Sequence, residues 1–308
     1  MDIITTLEFQ MLVTLLIYNC QLRFDEEAGK KYNCCTGGSD MKYQLALCQF
    51  YSAEDKDISF RKASEYIKKA ADSGARVVSL PEMWNCPYNH KFFAPMSEPE
   101  GGPSYKLMQD LAKENDIYLI GGSIPEESKG KIYNTSYSFS PDGTLIGKHR
   151  KIHMFDIDIK GGFSFCESDT LTPGDKLTVF DTEFGKIGVA ICYDIRFPQL
   201  FTDMAAAGAK LIVLPASFSQ STGPAHWELL IRARALDNQL YFAASAPARD
   251  PNSGYNSHAH SLVANPWGEI IASAGLDETI IQCEIDLDYL EQVREDIPLS
   301  KQRRDYSV

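Results

Sequence analysis

Residues 185–197 read GKIGVAICYDIRF. A mostly apolar run ends at Cys192, and more polar residues follow it. The apolar part predicts a buried strand, and a helix is predicted from residue 197 onward. A cysteine between a strand and a helix start is a candidate nucleophile, because the positive end of the helix dipole would lower its thiol pKa. A lone cysteine at a strand end is more often plain core, so Cys192 needs support from elsewhere in the chain.

Strand and helix signals alternate on both sides of this stretch. Short apolar strands are predicted at residues 76–80 and 210–214, each after a helix that ends in Gly-Ala. A Pro-Asp-Gly turn at residues 141–143 predicts a hairpin. The other predicted strands cover residues 43–50, 117–121, 132–139, 144–148, 240–246, 261–265, 269–273 and 279–284, and the predicted helices cover 58–73, 104–115, 197–207, 224–238 and 286–295. Hairpins mixed with crossovers predict an α/β fold with a mixed sheet, or two packed sheets with helices outside.

The composition of the 308-residue chain narrows the range of possible functions. A formal net charge of -12 argues against nonspecific binding to nucleic acid. The eight cysteines include no Cys-x-x-Cys pair, and no metal-binding or nucleotide-binding motif is present, so we predict neither a metal nor a cofactor. The triplet Asn134-Thr135-Ser136 fits a glycosylation sequon, to which we give no functional weight.

Residues 1–40 differ from the rest of the chain. Their apolar run at residues 11–18 is shorter than the ~20 residues of a membrane span. The residues before it include Asp2 and Glu8 but no lysine or arginine, unlike a signal peptide or a mitochondrial presequence. We predict that residues 1–40 are a disordered or peripheral extension and that residues 41–308 form a single domain. We expect a cytoplasmic protein with no membrane partner, while a mitochondrial pool stays open.

Two other ionisable residues stand at strand ends. Glu82 follows Leu80-Pro81, and Lys151 lies in HRKIH, directly after the predicted hairpin. The ends of strands are where a rigid scaffold presents functional side chains. Glu82, Lys151 and Cys192 are therefore candidates for one shared site.

The three segments that carry these residues resemble the nitrilase superfamily, also called the carbon–nitrogen hydrolases, and the resemblance covers residues 43–306. Within that superfamily the chain is similar to the ω-amidase branch, often called Nit2-like. The segments that carry this finer likeness are SLPEMWNCPY (79–88), LIGGSIPE (119–126), RKIHMFDID (150–158), TGPAHWELL (222–230), RALDNQ (234–239) and APARD (246–250). One stretch departs from the pattern: residues 256–261 read NSHAHS and lack the Trp-Gly-His or Tyr-Gly-His that is expected before Ser261.

The resemblance implies a four-layer α-β-β-α sandwich with mixed sheets, in which Glu82, Lys151 and Cys192 meet at one end. Cys192 would attack the amide, and Glu82 would act as general base and then protonate the departing ammonia. Lys151 and the backbone N–H of Tyr193 would stabilise the oxyanion. Glu167 falls where the family often carries a second glutamate that orients the substrate.

The ω-amidase branch also implies a substrate, a small-molecule amide. Such enzymes hydrolyse monoamides of short dicarboxylates, for example 2-oxoglutaramate to 2-oxoglutarate and 2-oxosuccinamate to oxaloacetate, through a thioester. Arg196 could bind the distal carboxylate with both arms of its guanidinium group. Tyr88 and Thr222 are predicted at the pocket rim, whereas His153 and His226 are interpreted as structural.

Three other interpretations stay open. The chain could be an amidase for deaminated glutathione or another carbon–nitrogen hydrolase, or it could transfer the acyl group to an amine instead of water. A non-catalytic interaction protein is the third alternative, which the intact Glu82, Lys151 and Cys192 argue against. The resemblance further implies a homodimer.

Overall fold

The computed structural model describes residues 41–161, 163–250, 255 and 257–304. The extension predicted at residues 1–40 lies outside the described residues. Within the described ranges, no helix is long and apolar enough to cross a membrane.

The secondary structure of the described residues alternates between strands and helices for most of its length. The strands are β1 Lys42–Gln49, β2 Val77–Ser79, β3 Tyr118–Ile120, β4 Ile124–Ser128, β5 Lys131–Phe139, β6 Leu145–Arg150, β7 Asp156–Asp158, β8 Ser164–Cys166, β9 Thr178–Thr182, β10 Gly185–Val189, β11 Ala209–Pro215, β12 Tyr241–Ser245, β13 Leu262–Ala264, β14 Ile270–Ser273 and β15 Thr279–Asp286. The helices are α1 Lys56–Asp72, α2 His90–Met96, α3 Pro103–Glu114, α4 Pro198–Ala206, α5 Gly223–Asn238, α6 Leu287–Asp296 and α7 Leu299–Gln302. Short 3-10 turns cover Glu167–Asp169 and Cys192–Arg196.

Two mixed sheets form the centre of the fold. The first has the order β15-β1-β2-β3-β5-β4, with β6 paired to β5. The second has the order β14-β13-β12-β11-β10-β9. In each sheet three neighbouring strands are parallel, β1-β2-β3 in the first and β10-β11-β12 in the second, and antiparallel strands flank them. The strands predicted at residues 76–80 and 210–214 are therefore the middle parallel strands, β2 and β11, of two similarly built sheets.

Side chains that alternate along the central strands create four layers. On β11, Leu211 and Val213 join the core between the two sheets, whereas Ile212 and Leu214 join the core beneath α4 and α5. The outer face of the first sheet is covered in the same way by α1 and α3. Burial on both faces explains why these strands are continuously apolar in sequence. The predicted α-β-β-α sandwich is confirmed.

Several short elements were not predicted. They are α2, α7, β4, β9 and the β7–β8 pair. Strand β4 reads IPEES and shows no apolar alternation, because its Glu126 is buried and neutralised by Lys148 and Arg150 from β6. Pairing with β5 and the ion pairs of Glu126, rather than apolar alternation, therefore stabilise this strand.

Candidate active site

The three candidate residues follow strands of both sheets. Glu82 comes after β2 and Lys151 directly after β6, both in the first sheet, whereas Cys192 comes after β10 in the second. All three side chains are buried, with residue exposures of 2%, 0% and 4% for Glu82, Lys151 and Cys192. The site therefore lies where the ends of the two sheets meet.

Lys151 is enclosed by two carboxylates. Its Nζ atom lies 3.1 Å from Oε1 of Glu82 and 2.7 Å from Oε2 of Glu167. Tyr88 donates a hydrogen bond from its hydroxyl to Oε1 of Glu167 at 3.0 Å. Tyr88 is therefore buried inside this cluster, and it also lines a cavity next to Glu82, so its place at a pocket rim stays a prediction. The structure brings together Glu82, Lys151, Glu167 and Tyr88.

Three further groups fix the two carboxylates. The backbone N–H of Ser217 donates to Oε2 of Glu82 at 2.6 Å, and that of Phe155 donates to Oε2 of Glu167 at 2.7 Å. The side-chain amide of Asn134 donates to Oε1 of Glu82 at 2.9 Å and to Oε1 of Glu167 at 3.3 Å. Each carboxylate is thus oriented by both backbone and side chain.

Asn134 and Ser217 were missed by the sequence analysis. Asn134 lies inside β5, and its backbone carbonyl oxygen accepts a hydrogen bond from the backbone N–H of Lys151 at 2.8 Å. Asparagine is depleted in strands, so its presence in the middle of a predicted strand was a usable signal. Ser217 contributes only its backbone to Glu82, and a backbone contact leaves no signal in residue type.

Burial and charge set the proton affinities in the cluster. Burial raises the pKa of Glu82, the Lys151 cation opposes this rise, and the Glu167 carboxylate adds to it. For Lys151, burial alone would lower the pKa, but the carboxylates of Glu167 and Glu82 outweigh it and raise the pKa well above its ordinary range. Lys151 is therefore a cation at neutral pH, and Glu82 is more basic than a glutamate in water.

The Cys192 thiol differs from the sequence-based expectation. Burial, followed by the nearby Glu82 charge, raises its pKa well above the ordinary value, although Lys151 opposes this effect. Helix α4 begins only at Pro198, and a 3-10 turn separates it from the thiol, so the predicted helix start does not lower the thiol pKa. Cys192 is therefore a neutral thiol at rest.

The backbone at Cys192 is also unusual. Its φ angle is +47°, in the left-handed region that residues other than glycine seldom adopt. Such conformations persist only where the surrounding structure holds them. The chain here turns sharply out of β10 into the Cys192–Arg196 turn.

Cys192 lines a small cavity together with Arg196. Tyr193, Thr222, Phe155 and Phe218 contribute to the same lining. The Arg196 guanidinium lies 3.2 Å from Nδ1 of His226 through Nη1, and its buried Nε has no hydrogen-bond partner within the residues that the structure describes. The structure thus places predicted Tyr193, Arg196 and Thr222 around one space beside the thiol.

Glu82 faces a second and larger cavity of about 510 Å³. Tyr88 and Ser217 also line it. Ser217 also lines the cavity on the Arg196 side, so the two cavities are neighbours. Within the described chain, no group of three or more histidine, cysteine, aspartate or glutamate residues could hold a metal ion.

The stretch that departs from the ω-amidase pattern lies against the start of α5. Ala259 and His260 have φ angles of +60° and +59°, so two consecutive residues with Cβ atoms are left-handed. The carbonyl of His260 accepts a hydrogen bond from Nε1 of Trp227 at 2.7 Å. Burial, followed by the charges of His260 and Arg249, lowers the pKa of His258 to about 4. His258 is therefore neutral where it packs on Gly223.

The chain is similar to known proteins over most of its length. The carbon–nitrogen hydrolase family model matches residues 44–295. The chain is 54% identical over 264 residues to omega-amidase NIT2-B of Xenopus laevis, covering 86% of this chain and 96% of that protein. It is 49% identical over 262 residues to omega-amidase NIT2 of Homo sapiens, covering 85% and 95%. Among solved structures it is similar to Saccharomyces cerevisiae Nit3, a member of branch 10 of the nitrilase superfamily, with 41% identity, a TM-score of 0.79 and coverage of 86% and 97%.

Proposed function

The chain belongs to the carbon–nitrogen hydrolase family, and we propose that it is a cysteine-dependent ω-amidase. Its substrates are monoamides of short dicarboxylates, such as 2-oxoglutaramate and 2-oxosuccinamate. The products are the free dicarboxylate, 2-oxoglutarate or oxaloacetate, and ammonia. The similarity to omega-amidases of Xenopus laevis and Homo sapiens over more than four-fifths of this chain supports this choice.

One observation supports the substrate class most directly. Cys192 and Arg196 line one cavity, and the buried Nε of Arg196 lacks a hydrogen-bond partner among the described residues. A carboxylate there would give the guanidinium its preferred bidentate partner. A molecule with an amide at one end and a carboxylate at the other would place the amide at Cys192 and the carboxylate at Arg196.

The first half of the reaction forms a thioester. Sγ of Cys192 attacks the amide carbon while the thiol proton passes to Glu82, whose raised pKa makes it a stronger base than a glutamate in water. The carbonyl oxygen becomes an oxyanion, held by the Lys151 ammonium and the backbone N–H of Tyr193. Glu82 then gives the proton to the amide nitrogen. The C–N bond breaks, and ammonia leaves.

The second half hydrolyses the thioester. Water reaches the acyl carbon from the Glu82 side, where the larger cavity lies, and Glu82 takes one of its protons. The C–S bond breaks, and the sulfur recovers a proton from Glu82. Glu167, fixed by Tyr88, Asn134 and the backbone of Phe155, orients the substrate amide and keeps Lys151 charged.

The test is ammonia release by the purified protein from 2-oxoglutaramate and from deaminated glutathione, compared with Cys192→Ala. Cys283→Ala, at a partly buried cysteine on β15, is the matched control. We expect release from 2-oxoglutaramate that is lost in Cys192→Ala and kept in the control. A preference for deaminated glutathione would instead support the alternative that the chain is an amidase for deaminated glutathione. No Cys192-dependent release from either compound would refute the proposed function.

Three further expectations belong to this proposal. We propose that residues 41–308 act as one hydrolase domain, that the protein is a homodimer and that it is cytoplasmic. Light scattering on the purified protein tests the dimer. Fluorescence microscopy of the tagged full-length chain tests the location.

A further inference from the structure

Asp194 is a buried carboxylate that the reaction described above does not use. It lies two residues after Cys192, has no solvent exposure and accepts four hydrogen bonds. Oδ1 accepts from the backbone N–H of His153 at 2.9 Å and from its Nδ1 at 2.7 Å. Oδ2 accepts from the backbone N–H of Ile191 at 3.0 Å and from Nε2 of His149 at 3.2 Å.

The donors come from two separate segments. His149 and His153 stand two residues before and two residues after Lys151, at the end of β6 in the first sheet. Ile191 directly precedes Cys192, after β10 in the second sheet. One side chain therefore connects the segment that carries Lys151 to the turn that carries Cys192.

Both histidines are themselves held in place. Nδ1 of His149 lies 3.1 Å from the hydroxyl of Thr178, and the His153 ring stacks on Phe197 with centroids 3.5 Å apart. Burial alone would raise the pKa of Asp194, but the hydrogen bonds from His149 and His153 outweigh it, and the pKa is lowered. The side chain is therefore an anion at neutral pH and accepts at both oxygens.

We propose that Asp194 is a positioning residue for amide hydrolysis, because its carboxylate joins His149 and His153 on either side of Lys151 to the backbone of the Cys192 turn. We call Asp194 and its donors on His149, His153 and Ile191 the clamp. It holds the Cys192 thiol and the Tyr193 N–H at a fixed position relative to the Lys151 ammonium. The left-handed backbone of Cys192 needs such support, since nothing in the residue itself favours it. This inference rests on the proposed function only for the roles of Lys151 and Cys192.

Asparagine cannot replace Asp194 in this clamp. An amide group has one acceptor and one donor end, whereas both oxygens of Asp194 receive a backbone N–H. In either orientation the amide NH₂ of Asp194→Asn would face the N–H of Ile191 or of His153. We expect this variant to lose kcat, but it also leaves a buried donor unpaired and could fail to fold.

Paired histidine variants separate positioning from packing. His153→Phe keeps a ring to stack on Phe197 but loses the donor, whereas His153→Asn loses the ring and keeps a donor near the Nδ1 position. Likewise His149→Leu loses the donor, and His149→Gln keeps one near the Nε2 position. We expect the two donor-losing variants to lower kcat by about 10- to 100-fold with little change in KM, since a misplacement of about 1 Å costs on this order. The two donor-keeping variants should retain most of kcat.

A second readout does not depend on any substrate. The rate at which iodoacetamide alkylates Cys192, followed by peptide mass spectrometry, reports the thiolate fraction. Lys151 lowers the thiol pKa, so a displaced Lys151 would raise it further and slow alkylation at neutral pH. We expect slower alkylation in His153→Phe and His149→Leu at unchanged melting temperature.

Two outcomes would overturn the clamp. One is parental kcat and alkylation rates in both donor-losing variants. The other is an equal loss in donor-keeping and donor-losing variants, which would assign the effect to ring packing. If the parent protein releases no ammonia from ω-amides, the proposed function fails, and the alkylation series still decides whether the clamp exists.

Discussion

Asn134 donates a hydrogen bond from its side-chain amide to Oε1 of Glu82 at 2.9 Å, from the interior of strand β5. The same NH₂ group reaches Glu167 at 3.3 Å, so a neutral donor stands between two carboxylates. The Lys151 ammonium lies between the same two carboxylates. Asn134 and Lys151 together hold the two acidic groups close to each other.

Replacement of Asn134 should reduce catalysis more than stability. We expect Asn134→Ala to lower kcat by about 10- to 100-fold, because Glu82 loses an orienting donor. Asn134→Asp should lower it further at neutral pH, since a third carboxyl group would raise the pKa of Glu82. Steady-state kinetics on 2-oxoglutaramate measure both effects. Asn85→Ala is the control, because Asn85 is a buried asparagine that bonds to Ser104 away from the site, and it should retain kcat.

The rate should fall in acid at a higher pH than an ordinary glutamate would produce. Glu82 must be ionised to accept the thiol proton, and its pKa is raised above the usual 4.5 by burial and by Glu167. As the pH drops through that raised pKa, Glu82 is protonated and kcat/KM declines. The pH profile of kcat/KM measures this limb. A limb at or below 4.5 would contradict the assignment of Glu82 as the base.

Glu82→Gln tests the same group by removing its charge. The amide keeps the size of the side chain but cannot accept the thiol proton, so we expect kcat to fall by about 100- to 10,000-fold. Burst measurements of thioester formation locate the loss in the first step. Glu127→Gln at an exposed glutamate on β4 serves as the control and should be neutral. A Glu82→Gln enzyme with near-parental kcat would exclude a base role.

Arg196 should distinguish substrates by charge. Arg196→Ala should raise KM for 2-oxoglutaramate by about 10- to 100-fold, because a hydrogen-bonded charge pair contributes about 1.5–3 kcal/mol. An uncharged amide of similar length, such as butyramide, should show almost no change in KM. Arg232→Ala, at an exposed i,i+4 ion pair on α5, is the matched control. Equal losses on both amides would show that Arg196 supports the fold instead of binding the carboxylate.

The left-handed backbone at Ala259 predicts a stabilising substitution. A residue with a Cβ atom at this φ of +60° costs about 1–2 kcal/mol relative to a right-handed conformation. Ala259→Gly should therefore raise the free energy of unfolding by about 1 kcal/mol. Urea titration of both proteins measures this difference in the free energy of unfolding. Ala264→Gly in β13, where φ is not positive, should instead destabilise the protein.

The fold and the grouping of Glu82, Lys151 and Cys192 were predictable from the sequence because both leave local patterns. Doubly buried strands such as β11 are continuously apolar, and Glu82, Lys151 and Cys192 each follow such a strand or a hairpin. Asn134 and Asp194 act through contacts between segments that are distant in sequence, and no local pattern records which atoms meet. The raised thiol pKa of Cys192 was also not predictable, since it depends on burial and on where α4 begins.

The sequon at Asn134 illustrates the same limit. Asn134, Thr135 and Ser136 are all buried in β5, so the folded protein offers no acceptor for a sugar. Asn134 instead donates to Glu82 and Glu167, and Thr135 donates its hydroxyl to Glu126. Its resemblance to a glycosylation signal is therefore coincidental.

The division of the site between two sheets has a consequence for folding. Glu82 and Lys151 are carried by one sheet and Cys192 by the other, so neither sheet alone holds all three groups that we propose to react. During refolding from denaturant, amidase activity should return only after the sheets dock and bury the core between them. Circular dichroism should recover earlier, as strands and helices form. The lag between the two signals would time the docking step.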